Sequence, residues 1–345
     1  MNSGGLRLSK VDRLRPTVDL SVIIVNYNTY ELLEQLLNSI NEAVTEVPVI
    51  SCEVILIDNS IIKRKIAVTK FSNINLRVVK TPRNIGFTRG VNLGIYIARG
   101  RHVLITTPDV FIPKEMFIKI IQKFILNKEK LENSIVGFKI INKRTNEVDS
   151  IGGTLSFYTG ASIIFKKTYR KYVLYPGGAA VLANRSLLRK LGYYDSFFFA
   201  YGDEVDLGLR AWLMGIKVVI EPGIIFFHSP TSSFSFKKSL LILRQYLIIR
   251  NHLLIMLKYF SIKAITFNMF FSLIYILKIK FKKDNYTNSN KLSFNEIFSH
   301  IIFAISELMK IAPHILKIRL YYKVNSILSF DVIRNKLFEK RFYEE

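Results

Sequence analysis

The sequence predicts an α/β protein with a mostly parallel central sheet and a helical tail toward its C-terminal end. Three observations carry that prediction. Short apolar runs alternate with helix-period segments over the first hundred or so residues, as in parallel strands joined by crossover helices. Three of these runs end at or within a few residues of a polar group, at Asn26, Asp58 and Asp109. Beyond residue 230 the alternation gives way to long apolar segments studded with Lys and Arg.

Leu20 to Val25 is a continuous apolar strand, broken by Asn26, Tyr27 and Asn28 ahead of a helix from about Glu31 to Glu42. Val54 to Ile57 is a second strand ending at Asp58, with Asn59 and Ser60 as turn or cap residues. Leu76 to Val79 is a third, before Pro82 and Asn84. Gly86, Gly90 and Gly94 then recur on one helical face, where missing side chains admit another backbone or a ligand. Val91, Ile95 and Ala98 make the buried face of that helix, and Gly100 is expected to stop it. Val103 to Ile105 forms the next strand, and Thr106, Thr107, Pro108 and Asp109 follow at its C-terminal end, where open α/β sheets bind ligands.

A helix from Pro113 to Asn127 and less regular β-rich chain through Ile135 to Ile141 lead to a turn at Gly152 and Gly153. Pro176, Gly177 and Gly178 introduce the small-residue strand Ala179 to Ala183, beside which an acceptor or another backbone can lie close. A short helix near Ser186 to Leu191 and the aromatic stretch Phe197 to Tyr201 precede the acids Asp203, Glu204 and Asp206. These acids open a helix with Val205, Leu209 and Trp212 on one face, and Asp206 stands four residues before Arg210, at ion-pair spacing. Acids in such places also serve simply as caps, and His228, ending the run Ile224 to Phe227, reads equally as a buried core histidine.

Composition narrows the setting. Half of the 345 residues are hydrophobic, ample for a core, and the single Cys52 cannot form an internal disulfide. Met1 to Pro16 is polar and basic without an apolar stretch, so a cytosolic site is expected. From Pro230 onward 19 Lys and Arg stand against 7 Asp and Glu, which is half of the net charge of +24. Arg244, Arg250, Lys258 and Lys263 are interleaved with dense Leu, Ile, Phe and Tyr, which suits an amphipathic surface binder better than a phosphate-tracking groove. An anionic membrane surface at the cytosolic face is therefore the expected partner, and nucleic acid is disfavoured. The longest uncharged run of the tail, Ala264 to Leu277, falls short of the roughly 20 residues a bilayer span needs. Helices lying on the membrane or packing on the rest of the chain are expected instead, with Lys278, Lys280, Lys282 and Lys283 toward headgroups. Asp284 to Asn290 reads as a linker, and Phe294 to Met309 and Ile315 to Leu328 as amphipathic helices with Pro313 between them.

The ordered set of Ser21 to Asn28 (Ser-Val-Ile-Ile-Val-Asn-Tyr-Asn), Ile57-Asp-Asn-Ser60, Arg83-Asn-Ile-Gly-Phe87 with Asn92, Thr107-Pro-Asp109, Gly177-Gly-Ala179, and Tyr201-Gly-Asp-Glu-Val-Asp-Leu207 with Arg210 resembles the family 2 glycosyltransferases of GT-A (Rossmann-like) fold, especially their rhamnosyltransferase-like branch. The resemblance covers roughly Leu20 to Asn251. It implies a GT-A catalytic domain over 17–230, between a basic extension over 1–16 and a membrane-associated helical tail over 231–345. It further implies inverting transfer from a nucleotide-sugar donor to a glycan or lipid-linked glycan acceptor, with a divalent metal, Mg²⁺ or Mn²⁺. Asn28, Asp58, Arg83, Asn84, Gly86 and Asn92 would then line the donor side, with Asp58 on the base. Asp109 would hold the metal, with His228 completing the metal or diphosphate site, and Gly177, Gly178 and Tyr201 would face the acceptor.

The sequence departs from that family in two places. Thr107 stands where the branch carries the Asn of Asn-Pro-Asp, which leaves one carboxylate ligand and more of the coordination to water and the diphosphate. Relatives carry Glu then Asp ahead of Val-Asp-Leu, whereas here Asp203 precedes Glu204. Glu204 falls at the base position, and the assignment stays open between Glu204 and Asp203. A nucleotidyltransferase would need a glycine-rich basic loop after the first strand, where Asn26-Tyr27-Asn28 stands. The remaining rival is an inactive relative serving as a basic membrane or nucleic-acid binding module.

Overall fold

The computed structural model describes residues 17–62, 64, 66–127, 133–167, 170–178, 180–229, 238–281 and 294–338. Strand β1 (Val18–Asn26) lies inside the sheet and is followed by α1 (Tyr30–Glu46), β2 (Cys52–Asp58), β3 (Asn75–Lys80), α2 (Phe87–Ile97) and β4 (Gly100–Thr106). Next come β5 (Val110–Phe111), α3 (Lys114–Ile120) with a π-helical turn over Ile121–Leu126, β6 (Ser134–Asn142), β7 (Val148–Ser150), and the small β8 (Gly153–Leu155) and β9 (Ser162–Ile164) pair. The sheet is completed by β10 (Ala180–Asn184), then α4 (Arg185–Lys190), α5 (Asp203–Leu213) and β11 (Lys217–His228). Five helices follow: α6 (Lys238–Tyr259), α7 (Ile262–Phe281), α8 (Phe294–Lys310), α9 (Ala312–Asn325) and α10 (Phe330–Leu337).

The main sheet has the order β3-β2-β1-β4-β10-β6-β11-β5, with β7 beside β6. Strands β3, β2, β1, β4, β6 and β11 run in one direction, and β10 runs against them between β4 and β6. Their C-terminal ends therefore share one rim. Asn26 is opposite Asp58 and Ile24 opposite Thr106, while His228 is opposite Asn142. The apolar run of β1 is continuous because both faces are covered: Val22 and Ile24 join the core under α1 and α3, and Ile23 and Val25 the core under α2.

Gly90 and Gly94 seat α2 directly on β1, since a Cβ at either would lie 2.9 and 2.5 Å from Val25 and Ile23. The expected role of Gly100 is corrected. The helix ends at Ile97, Ala98 is already extended, and Gly100 opens β4, where a Cβ would meet the Ser21 backbone at 2.5 Å.

A third core joins the outer face of α5 to the chain beyond residue 230, through Val205, Leu209 and Leu213 with Leu254, Phe260 and Ile315. By length and composition α6 passes for a membrane span over Leu240–Tyr259, with mean hydropathy 1.4. Its polar residues argue for a docked helix, because Arg250, Asn251 and Lys258 are buried and bonded to the body of the protein. Arg250 and Lys258, expected among surface charges, thus point inward. Pro313 lies in the first turn of α9, where a missing N–H costs nothing, instead of between two helices. The 1–16 extension, Lys282, Lys283 and the 284–290 linker fall outside the described residues.

Candidate active site

The rim gathers the polar residues expected there, and the structure separates those that stay open from those the fold consumes. Asp58 is fully buried: Asn26 Nδ2 donates to its Oδ1 at 3.2 Å, the Ser60 N–H donates to the same oxygen at 3.2 Å, and the Tyr30 hydroxyl donates to Oδ2 at 2.9 Å. A direct contact from Asp58 to a base thus requires Tyr30 to move aside. Asn28, in a left-handed conformation, and Arg83 are exposed on the same rim. Gly86 and Asn92, expected on the donor side, have partners within the protein. Phe199 fills the bare face of Gly86, and the Gly86 N–H and C=O are taken by Asn84 Oδ1 and Asn59 Nδ2. Asn92 spends both ends of its amide on the Tyr194 backbone, at 2.7 and 2.9 Å. Gly86, Asn84 and Asn92 therefore hold the segment from Tyr194 to Phe199 against α2.

Asp109 lies three residues past β4, and His228 reaches it because β11 pairs β5 with His228 opposite Val110. His228 Nε2 is 3.6 Å from Asp109 Oδ2, and Nδ1 is 2.8 Å from Asp149 Oδ2. Burial alone would lower the His228 pKa, but bonds to Asp109 and Asp149 overcome it and raise it. With a proton on Nδ1 toward Asp149, Nε2 keeps a lone pair toward Asp109. Asp109 Oδ1 is buried and has no hydrogen-bond partner among the described residues. No group of three His, Cys, Asp or Glu able to hold a metal alone occurs among the described residues. Asp109 and His228 together fit a divalent cation only if its other ligands are supplied by a diphosphate and water.

The second acidic centre reaches the same rim from β10. Ala180 pairs with Thr106, so Gly177 and Gly178 arrive where β4 ends, and a Cβ on Gly178 would sit 3.3 Å from Glu204 Cδ. Gly177 is packed instead against Ile140 and Ser150. Glu204 is partly exposed and Asp203 nearly enclosed at 4%. Burial raises the pKa of Glu204, and burial with Glu204 alongside raises that of Asp203 well above the carboxylate range. Tyr201 connects the two centres. Burial raises its phenol, the Arg244 guanidinium over its ring opposes this, and Asp109, Asp203 and Glu204 all add to the rise. Asp206 accepts from Arg210 Nε at 2.8 Å, the pair expected from spacing, and also from Lys258 and from Tyr259 at 2.7 Å.

The site thus unites Asp109, His228, Tyr201, Gly178 and Glu204. It adds Asp149, to which sequence patterns did not point, and Arg244, expected only as a basic residue of the tail. Asp149 is brought to His228 only by the pairing of β7 with β6 and of β6 with β11.

Comparison with known proteins gives the family. Residues 21–192 match Glycosyl transferase family 2. The chain is similar to the low-salt glycan biosynthesis hexosyltransferase Agl10 of Haloferax volcanii, at 26% identity over 209 residues, which is 58% of this chain and 64% of that protein. In structure it resembles GalNAc-T7 with UDP, GalNAc and Mn²⁺, with a TM-score of 0.56 and 15% identity over 84% of this chain and 57% of that one. It also resembles S. aureus TarS in complex with UDP-GlcNAc, with a TM-score of 0.53 and 16% identity over 89% of this chain and 88% of the other. At such identities the structural likeness speaks for the fold alone, and the curated relative is spanned over less than two thirds of its length. With the parallel rim and its acids, the match identifies residues 21–192 as a glycosyltransferase family 2 domain, on a GT-A-like α/β fold.

Proposed function

We propose that the protein is an inverting glycosyltransferase that moves a sugar from a nucleotide-sugar donor to a hydroxyl of a glycan or lipid-linked glycan. The observation that carries this reading is that β4 and β10 meet at one rim of the sheet, which brings Asp109 with His228 and Glu204 beside Gly178 to the same edge. Glu204, made more basic by burial yet reachable from solvent, takes the acceptor hydroxyl proton. The acceptor oxygen bonds to the anomeric carbon as the bond from that carbon to the diphosphate breaks, and the nucleoside diphosphate departs. Asp203, more deeply buried, is the less reachable of the two acids.

Asp109 and His228 would hold a divalent cation, Mg²⁺ or Mn²⁺, and that cation supplies charge to stabilise the departing diphosphate. The Mn²⁺ and UDP of GalNAc-T7 and the UDP-GlcNAc of TarS, both of like fold, accord with this donor and metal class. The hexosyltransferase named among the relatives favours a hexose, and a rhamnosyl or other deoxyhexosyl donor rests on the sequence resemblance alone.

An anionic membrane surface is the proposed setting. Leu316, Leu320 and Val324 form an exposed stripe on α9 at four-residue spacing, flanked by Lys317 and Lys323, and no acid occurs between Glu307 and Asp331. Asp109→Asn tests the metal role. It should abolish the part of sugar-nucleotide binding that depends on divalent ions and leave the melting temperature unchanged. Transfer by the wild type that is insensitive to EDTA would contradict this role.

A further inference from the structure

The segment that presents the base is held by side chains of α6. Tyr201 and Gly202, directly before Asp203, both adopt left-handed conformations, with φ of 67° and 74°. Glycine takes that region freely, whereas a tyrosine there costs about 1 kcal/mol or more and persists only when its surroundings impose it. The carbonyls of the segment show what imposes it. Phe199 O accepts from the Phe87 N–H at 2.7 Å, and Phe197 O from Arg250 Nη1 at 2.5 Å. Ala200 O and Tyr201 O both accept from Asn251 Nδ2, at 2.8 and 2.7 Å. Arg250 Nη1 also donates to Asn251 Oδ1 at 2.8 Å, which fixes the amide so that its nitrogen faces the turn. Asn251 is 1% exposed and Arg250 7% exposed, so water cannot readily replace these donors. Both belong to α6, fifty residues further along the chain than the turn they hold.

From this geometry we propose that Asn251, braced by Arg250, is a positioning residue for the transfer reaction: it locks the left-handed Tyr201–Gly202 turn so that Glu204 faces the acceptor. The inference rests on the reading of Glu204 as the base. Asn251 touches neither substrate nor reacting atoms and acts through the two carbonyls it holds. Without it the turn relaxes, Glu204 is better hydrated, and its raised pKa falls back toward the ordinary value.

The test uses the full chain as wild type, Asn251→Ala and Glu204→Gln, with UDP- and GDP-hexoses as donors and water as the acceptor. Asn251→Ala should lower kcat about tenfold to a hundredfold, the usual consequence of a misplaced reacting group, with donor KM unchanged within twofold. The acidic limb of its kcat profile should shift to lower pH, and Asn251→Ser, which keeps a donor, should recover part of the rate. Amide hydrogen exchange followed by mass spectrometry should quicken at 199–204 in Asn251→Ala. A variant with unchanged kcat, pH limb and exchange overturns the positioning role. Should Asn251→Ala fail to fold, Asn251→Ser carries the same readouts. If Glu204→Gln is as active as the wild type, the reading of the base fails independently. If the wild type releases no nucleotide, the exchange at 199–204 still decides whether Asn251 holds the turn.

Discussion

Glu204 fits at the rim because Gly178 has no side chain. An alanine there would place a methyl carbon 3.3 Å from Glu204 Cδ, closer than comfortable contact, and the carboxylate would have to shift by a few tenths of an ångström. Gly178→Ala should therefore lower kcat by about tenfold while leaving donor affinity and the melting temperature unchanged. An unaffected kcat would mean that Glu204 is not on the reaction path. At this scale the sequence displayed the chemical residues well, because acids at strand ends and before a helix stand out against apolar runs. It could not show which polar groups the fold itself would use up. Asn92 and Gly86 sit among the family motifs, yet Asn92 bonds the Tyr194 backbone and Gly86 packs against Phe199, about a hundred residues away. Asp149 carries no signal of its own, since only strand register brings it to His228.

Among the elements, the contact of α6 with α5 is the least legible in the sequence and the most consequential. Strand and helix periods located β1 through β4 and α5 within a few residues, because each buries its apolar face locally. Lys258 looked like a surface charge on an apolar helix, and its burial depends on Asp195 and Asp206, which lie more than fifty residues earlier. Burial would raise the Asp195 pKa, but His314 and Lys258 overcome it and hold the carboxyl far below the usual range. Lys258→Met should therefore destabilise the protein by about 3 to 5 kcal/mol in urea unfolding, because two acids lose a buried partner. The sign of its pH dependence follows. A depressed carboxyl stabilises the fold above its unfolded pKa of 3.8 and loses that contribution as pH falls below it. The gap between wild type and Lys258→Met should thus be full near neutral pH and shrink below pH 3.8. A gap constant across that range would contradict the assigned network.

For the molecule as a whole, the helices beyond residue 230 combine two roles: α6 completes the body around α5, and α9 turns an apolar and basic face outward. Ending the chain near residue 230 would strip away part of the third core, so the membrane reading is better tested by point substitutions. Leu320 and Val324 are 63% and 80% exposed, and Leu320→Glu with Val324→Glu should leave the melting temperature unchanged. The pair should weaken binding to phosphatidylglycerol vesicles roughly tenfold or more, given the apolar area and charge lost. Wild-type binding should itself weaken with salt, since exposed charges are screened over about 8 Å at physiological ionic strength. Vesicle binding that ignores both changes would remove the lipid partner from the account. The central claim is transfer of a sugar with Glu204 as the base. It is tested most directly by nucleoside diphosphate release from sugar nucleotides by the wild type and Glu204→Gln, alongside calorimetric donor binding. The account predicts equal donor affinity and a kcat lowered by about 10² to 10⁴ in Glu204→Gln, with the wild-type acidic limb displaced above the ordinary glutamate value of 4.5. Equal turnover by the two proteins would contradict it.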